Sequence, residues 1–145
     1  MNIRTPKIKI TNPEEIAGIL TKALNAEDEN DQQKEHCWVI GLRASKVIEY
    51  LELVSLGSLT AGIVHPREVF RLAILKRVDK IILGHNHPSG VLTPSKEDLN
   101  TTRELIKAGQ ILSIELLDHI IISLKGEFHS FVNSNLINKL KGESK

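Results

Sequence analysis

A mixed α/β domain of the α+β kind, with a mixed β-sheet flanked by helices, is the fold class this sequence predicts. Three observations carry that expectation. Apolar runs such as Cys37–Leu42 and Lys80–Gly84 are too short for helices and read as buried strands. Longer stretches between them combine capping residues with apolar positions at helical spacing. Near the end, Gly126 separates two strand-like stretches in the manner of a hairpin. With 145 residues, of which 41% are hydrophobic, the chain can bury one core, which predicts a single domain.

The elements follow in order. Residues Met1 to Ile10 are basic and carry no capping signal, so they read as a tail or an edge strand. Thr11-Asn12-Pro13-Glu14-Glu15 supplies an N-cap, a proline for the first turn and acids beside the helix dipole. Ile16, Ile19, Leu20 and Leu24 follow at helical spacing, predicting a helix over 13–25. Ala26 to Lys34 is polar and reads as a loop or helix end before the strand Cys37–Leu42. Val47 to Ser55 is a second strand whose two faces both mix apolar and acidic residues. Gly57 and Gly62 punctuate what comes next. His65-Pro66-Arg67-Glu68 opens a helix with Val69, Phe70, Ala73, Ile74 and Val78 on one side. Lys80–Gly84 is a buried strand that runs into His85-Asn86-His87-Pro88-Ser89-Gly90. Pro94 to Asp98 then starts a helix through about Gly109. Ile111 to Leu124 reads as two short strands broken near Leu117-Asp118, Glu127 to Val132 pairs back, and Asn135 to Lys141 is a terminal helix. No internal repeat, low-complexity tract or linker interrupts this order.

The charge balance excludes some functions. Lys plus Arg total 19 against 18 acids, a net charge of +1, which lacks the footprint of a protein built to coat nucleic acid. A single cysteine forms no internal disulfide, and no secretory leader pattern opens the chain, so a cytoplasmic protein is expected. The apolar runs fall far short of the roughly 20 residues that span a bilayer.

The chemistry concentrates around His85. In a strand, residues i and i+2 share a face, so His85 and His87 at the strand's exit can aim at one ion. Zinc accepts histidine nitrogen and carboxylate oxygen, and a catalytic zinc keeps one position open for water. Asp98 is the candidate third ligand, because Ser89-Gly90 and Pro94 let the chain turn back before a helix whose first turn carries it. His-x-His alone is a weak signal. Ser95-Lys96-Glu97-Asp98 also reads as a capping box, which accounts for both Ser95 and Asp98 without chemistry.

His85-x-His87, seven intervening residues, Ser95, two more and Asp98 is similar to the JAMM motif of JAB/MPN-domain metalloenzymes. Further blocks resemble the RadC group of that family: Gly57-Ser58-Leu59-Thr60, Val64 to Phe70, His85 to Gly90, Pro94-Ser95 and Leu117 to Ile121. The resemblance covers residues 12–138 and leaves 1–11 as a tail or edge strand and 139–145 as a C-terminal tail. It implies a JAB/MPN, cytidine-deaminase-like architecture and a zinc-dependent hydrolase acting on a peptide or isopeptide bond through a zinc-activated water. Residue by residue, it implies His85, His87 and Asp98 as zinc ligands and Ser95 as partner of the developing oxyanion. It implies an upstream glutamate as general base and acid. Glu35, ahead of the strand Cys37–Leu42, takes that place. Glu68 is the rival, but it lies in a helix's first turn beside Arg67, where dipole compensation explains it.

The chain departs from the group in three respects. RadC-like proteins commonly carry an N-terminal helix-hairpin-helix segment for DNA contact, for which the residues before Thr11 offer no room. Cys37 stands where relatives often have an aromatic residue, and Arg43 where they often have Asp or Asn. Cys37, in an apolar strand beside Trp38, reads as a buried, inert thiol. His65 and His119 lie in blocks that resemble the group and read as structural histidines, with a supporting role at the site as the sharper alternative. His36 and His129 have no evident partner. Arg67, Arg71, Lys76, Arg77 and Lys80 form a basic cluster that reads as a solvated face.

Other readings are a scaffold of the same fold without activity and a DNA-repair-associated protein of the RadC group. The literal His-Asn-His string is a poor nuclease signal. A zinc deaminase needs a Pro-Cys-x-x-Cys half that one cysteine cannot supply, and a thermolysin-like site needs an absent His-Glu-x-x-His. The expected partner is a peptide or protein substrate, with no autonomous binding to duplex DNA and no membrane.

Overall fold

The computed structural model describes residues 2–3, 8–57 and 64–143. The expected turn at Gly62 and the motif residues Ser58, Leu59 and Thr60 lie outside them, as do five of the first ten residues and the last two of the expected tail.

Among the described residues six strands form one sheet. In chain order the elements are β1 (Asn2–Ile3), α1 (Pro13–Asn25), α2 (Glu29–Gln32), β2 (Glu35–Leu42), β3 (Ile48–Gly57), α3 (Pro66–Lys76), β4 (Lys80–Asn86), α4 (Lys96–Leu112), β5 (Glu115–Ile122), β6 (Phe128–Ser130) and α5 (Leu136–Glu143). The strands lie side by side as β1-β3-β2-β4-β5-β6. All neighbours are antiparallel except β4 and β5, which run parallel and are joined through α4, as a parallel pair requires. The sheet is therefore mixed, as expected.

Strand alternation sends side chains to two faces. Val39, Ile81, Leu83 and Ile121 pack with Phe70, Leu105, Phe131 and Ile137 on the face covered by α3, α4 and α5. Trp38, Ile40, Ile82 and Ile120 pack with Ile16, Leu20 and Leu24 of α1 on the other. Gly84 permits α1 to lie this close, since a Cβ there would stand 2.5 Å from Leu20 Cδ1.

Several boundaries differ from expectation. Part of the 1–10 segment is an edge: β1 pairs with β3 at Glu52 and Leu51, and Lys9 bridges Val47. The acidic 26–34 stretch holds the short helix α2, started by the Asp28 side chain accepting from the Asp31 N–H. Ile111 and Leu112 are not strand residues. They close α4, which runs past Gly109 to a left-handed Ser113, and Ile111 is 84% exposed. The expected pair of strands beyond is one strand, β5, with a bulge. Ile81 pairs with Leu116 but Ile82 pairs with Asp118, so Leu117 is the extra residue. The expected 139–145 tail begins inside α5, which runs to Glu143 and whose Leu140 is only 2% exposed and packs in the core.

Candidate metal centre

β4 delivers His85 at its end, with Cys37 opposite on β2 and Ile121 opposite on β5. His87 follows just outside the strand, and its N–H still donates to the Ile122 carbonyl at 3.0 Å. The Gly90 N–H then donates back to the His87 carbonyl, with Gly90 at φ 84°, a backbone shape that suits glycine. This turn leads to α4. Ser95 is its N-cap and Asp98 its third residue, joined in a capping box: the Asp98 N–H donates to Ser95 Oγ at 3.1 Å and the Ser95 N–H to Asp98 Oδ2 at 2.8 Å. The capping reading and the ligand reading therefore coexist, because the box fixes the carboxylate and leaves Oδ1 free of it.

The three side chains converge. His87 Nε2 lies 3.0 Å from Asp98 Oδ2, and His85 Nε2 lies 3.5 Å from Asp98 Oδ1. One ligand atom from each of the three lies within 4.8 Å of the others, and all three residues are buried. Among the described residues, His85 Nε2 is buried with no hydrogen-bond partner. His87 Nδ1 lies 2.6 Å from the Val91 carbonyl, which can only accept, so the neutral ring keeps its proton there and offers Nε2 as a lone pair, while the charged ring donates from Nε2 to Asp98 Oδ2. With His87 neutral, lone pairs from two imidazoles and a carboxylate face one point, and a divalent cation that displaces the Nε2 proton fits that set.

Electrostatics agree with the geometry. Burial pushes the His85 imidazole down to about 4, outweighing the attraction of Asp98, so it is neutral as a ligand must be. His87 is also opposed by burial, but its bonds to Asp98 and Val91 raise it overall. Burial raises Asp98 too, yet the His87 contact, the His85 ring and the Ser95 N–H hold its carboxyl well below the usual range.

Glu35 begins β2 and lines the same cleft as His85, Asp98, Cys37 and His119. Among the described residues its Oε2 is buried without a partner. Burial pushes its carboxyl up to about 7, with His87 lowering it and Asp98 raising it. Asn86, between the two histidines, holds it in place. Asn86 Nδ2 donates to the Lys34 carbonyl at 3.0 Å and the His36 N–H donates to Asn86 Oδ1 at 2.5 Å, gripping the peptide groups on either side of Glu35.

Glu68 is exposed in the first turn of α3 and borders a separate surface groove with Glu52 and Arg71. Ser95 is committed as an N-cap acceptor and is not among the residues lining the cleft. Cys37 is buried, and burial pushes its thiol up to about 12, which fits an inert thiol. His65 is an exposed N-cap residue. His36 lies with Nδ1 2.8 Å from the Lys34 carbonyl and stacks on Trp38, and His129 Nε2 lies 3.1 Å from Ser134 Oγ. In the basic cluster Arg71 pairs with Glu52 and Lys80 with Glu115, while Arg77 is the left-handed C-cap of α3.

His119 is more than a packed histidine. Its Nε2 lies 3.3 Å from His85 Nδ1 and its Nδ1 lies 2.7 Å from Thr102 Oγ1. Neither Thr102 nor Asn86 stood out in the sequence. The only cue available for Thr102 was its place one helical turn after Asp98.

A UPF0758 protein of Staphylococcus epidermidis is 41% identical over 133 residues, which is 92% of this chain and 56% of that protein. One from Clostridium acetobutylicum is 47% identical over 115 residues, covering 79% of this chain and 48% of its own length. One from Methanosarcina acetivorans is 41% identical over 120 residues, 83% of this chain and 50% of its own. The chain spans about half the length of the curated relatives it matches. A family model described as the RadC-like JAB domain matches residues 10–136, which contain every strand but β1 and all the residues that converge on the cleft. The chain belongs to the RadC-like JAB domain family.

Proposed function

We propose that this chain is a zinc-dependent hydrolase that cleaves a peptide or isopeptide bond. The observation that carries this reading is the convergence of His85 Nε2, His87 Nε2 and the Asp98 carboxylate beside a half-buried glutamate with an unpartnered oxygen. Two nitrogens and one oxygen match a catalytic zinc site that keeps a position open. When bound, zinc lowers the pKa of water toward about 7 and polarises a carbonyl group.

Glu35 supplies the proton traffic. A carboxyl held near 7 is half-ionised at neutral pH, so it can take a proton from the attacking water and give it to the leaving amine. Asn86 fixes the backbone that carries that carboxyl through its two bonds to the flanking peptides. Ser95 Oγ accepts from the Asp98 N–H, and among the described residues no acceptor takes its hydroxyl hydrogen; since Ser95 does not line the cleft, it donates to a developing oxyanion only where the substrate itself extends to the start of α4.

The test has two parts, run on untagged protein. Metal analysis is expected to find one zinc per chain in the unaltered protein and none in His87→Ala. Glu35→Gln is expected to keep its zinc and lose cleavage of a fluorogenic peptide and isopeptide panel by about 10²-fold or more. Unchanged zinc in His87→Ala overturns the ligand set. Loss of cleavage in Glu68→Gln but not in Glu35→Gln overturns the choice of base.

A further inference from the structure

We propose that His119 is a positioning residue: with Thr102 it directs a chain of hydrogen bonds that holds His85 in the tautomer offering Nε2 to the metal. The inference rests on the metal-centre reading above and adds to it a reason why the centre is ready before metal arrives.

The direction of the chain is set by a group that cannot change role. The Asp98 carbonyl accepts only, and Thr102 Oγ1 lies 2.7 Å from it, one turn along α4, so the threonine's single hydrogen goes there. With that hydrogen committed, Thr102 Oγ1 can only accept from His119 Nδ1. A neutral imidazole carries one N–H, so His119 Nε2 is bare. It faces His85 Nδ1 at 3.3 Å, and that pair needs one proton, which His85 must supply. His85 Nε2 is then left with its lone pair. It is the buried atom without a partner that points at Asp98 Oδ1. The chain starts at the Asp98 carbonyl and ends at the Asp98 carboxylate, so one residue both directs the relay and shares the site.

The surroundings hold the relay rigid. Thr102 is 0% exposed and His119 1%, which leaves no solvent to offer another donor. The His119 ring stacks on Phe131 at 4.4 Å between centroids, and its backbone N–H donates to Asp118 Oδ1 at 2.7 Å. The bulge at Leu117 shifts strand parity so that Leu116 and His119 both face the α4 side, where His85 lies. His87 is set by a different acceptor, the Val91 carbonyl, and so serves as an internal control.

The experiment reads ring tautomers directly. Metal-free protein with ¹⁵N-labelled histidine is recorded near neutral pH by long-range ¹H–¹⁵N correlation, alongside His119→Phe, His119→Gln and Thr102→Val. Zinc affinity of each is measured by competition with a chromophoric chelator. In the unaltered protein His85 is expected to carry its proton on Nδ1. His119→Phe keeps the stacking but removes the acceptor. The His85 proton is expected to move in large part to Nε2, and zinc affinity to fall about 10- to 100-fold. His119→Gln, whose amide oxygen can accept from His85, is expected to restore most of both. Thr102→Val frees His119 to place its proton on Nε2, and a shift of the His85 tautomer is expected there as well. The His87 signals are expected to stay in place throughout. An unchanged His85 tautomer in folded His119→Phe overturns the proposal, as does a His87 shift as large as that of His85. If the unaltered protein takes up no zinc while His119→Phe still moves the His85 proton, the hydrolase reading falls and the relay stands.

Discussion

At the scale of single residues, Asn86 joins the two halves of the site. The last β2–β4 pair is Cys37 with His85, and the next position on β2 would face Asn86. The Asn86 side chain continues the ladder there, offering one acceptor and one donor to the two peptides that bracket Glu35. Asn86→Ala leaves the buried His36 N–H without its acceptor, takes one of two partners from the Lys34 carbonyl, and frees the start of β2 to move. A displacement of about 1 Å at a catalytic group costs on the order of 10²-fold in rate. Asn86→Ala is therefore expected to keep stoichiometric zinc, lose cleavage by about 10- to 100-fold, and exchange the His36 amide faster. Loss of zinc in that variant would show that Asn86 supports the histidine loop instead. The ligand pair was legible in the sequence, because strand alternation alone puts His85 and His87 on one side. Asn86 was not, since an asparagine at a strand end has many ordinary uses and its partners lie 50 and 52 residues away. Glu35 was chosen only through resemblance, for nothing local distinguishes it from other acids of its polar stretch.

At the scale of elements, glycines separate local propensity from tertiary contact. Gly18 sits on the exposed side of α1, and a Cβ added there meets nothing within 4 Å. Gly18→Ala is expected to stabilise the protein by about 0.5–1 kcal/mol through helix propensity. Gly109 sits in α4, where a Cβ would stand 2.3 Å from the Ile114 carbonyl oxygen. Both the Ser113 and Ile114 N–H groups donate to the Gly109 carbonyl, so this backbone cannot swing away cheaply. The clash costs roughly 1–3 kcal/mol and outweighs the same propensity gain. Gly109→Ala is expected to lower the urea midpoint while Gly18→Ala raises it, and two shifts of the same sign would refute the contact argument. Gly109 also explains a misplaced boundary. In sequence it reads as a helix terminator, yet it is the residue against which the chain folds back after α4 ends. The capped starts of α1, α3 and α4 were legible because their signals are local. The bulge in β5 was not, since Leu117 is extra only relative to the partner strand β4.

At the scale of the whole molecule, two core layers sandwich the sheet, and the cleft opens at one end of β4, where β2, β5 and the start of α4 meet. The fold class was legible because strand and helix periods differ so plainly along the chain. The arrangement of charge decides what this surface can bind. Net charge is +1, and the cations that cluster in sequence do not form one free stripe. Arg71 is tied to Glu52, Lys80 to Glu115, and Lys141 to the other oxygen of Glu115. Arg67 lies beside Glu68 in the first turn of α3, while Arg77 has left the helix as its cap. A dedicated duplex binder neutralises roughly six to ten phosphates and shows a correspondingly steep salt dependence. Recruiting Arg71, Lys80 or Lys141 to phosphates would require breaking their ion pairs, at a cost that those contacts must first offset. This chain alone is therefore expected to hold duplex DNA no tighter than about 10⁻⁶ M in a filter-binding titration at about 150 mM salt, the range of ordinary non-specific association. A tighter constant with a steep salt slope would place a phosphate-binding surface on this domain and weaken peptide hydrolysis as its main activity.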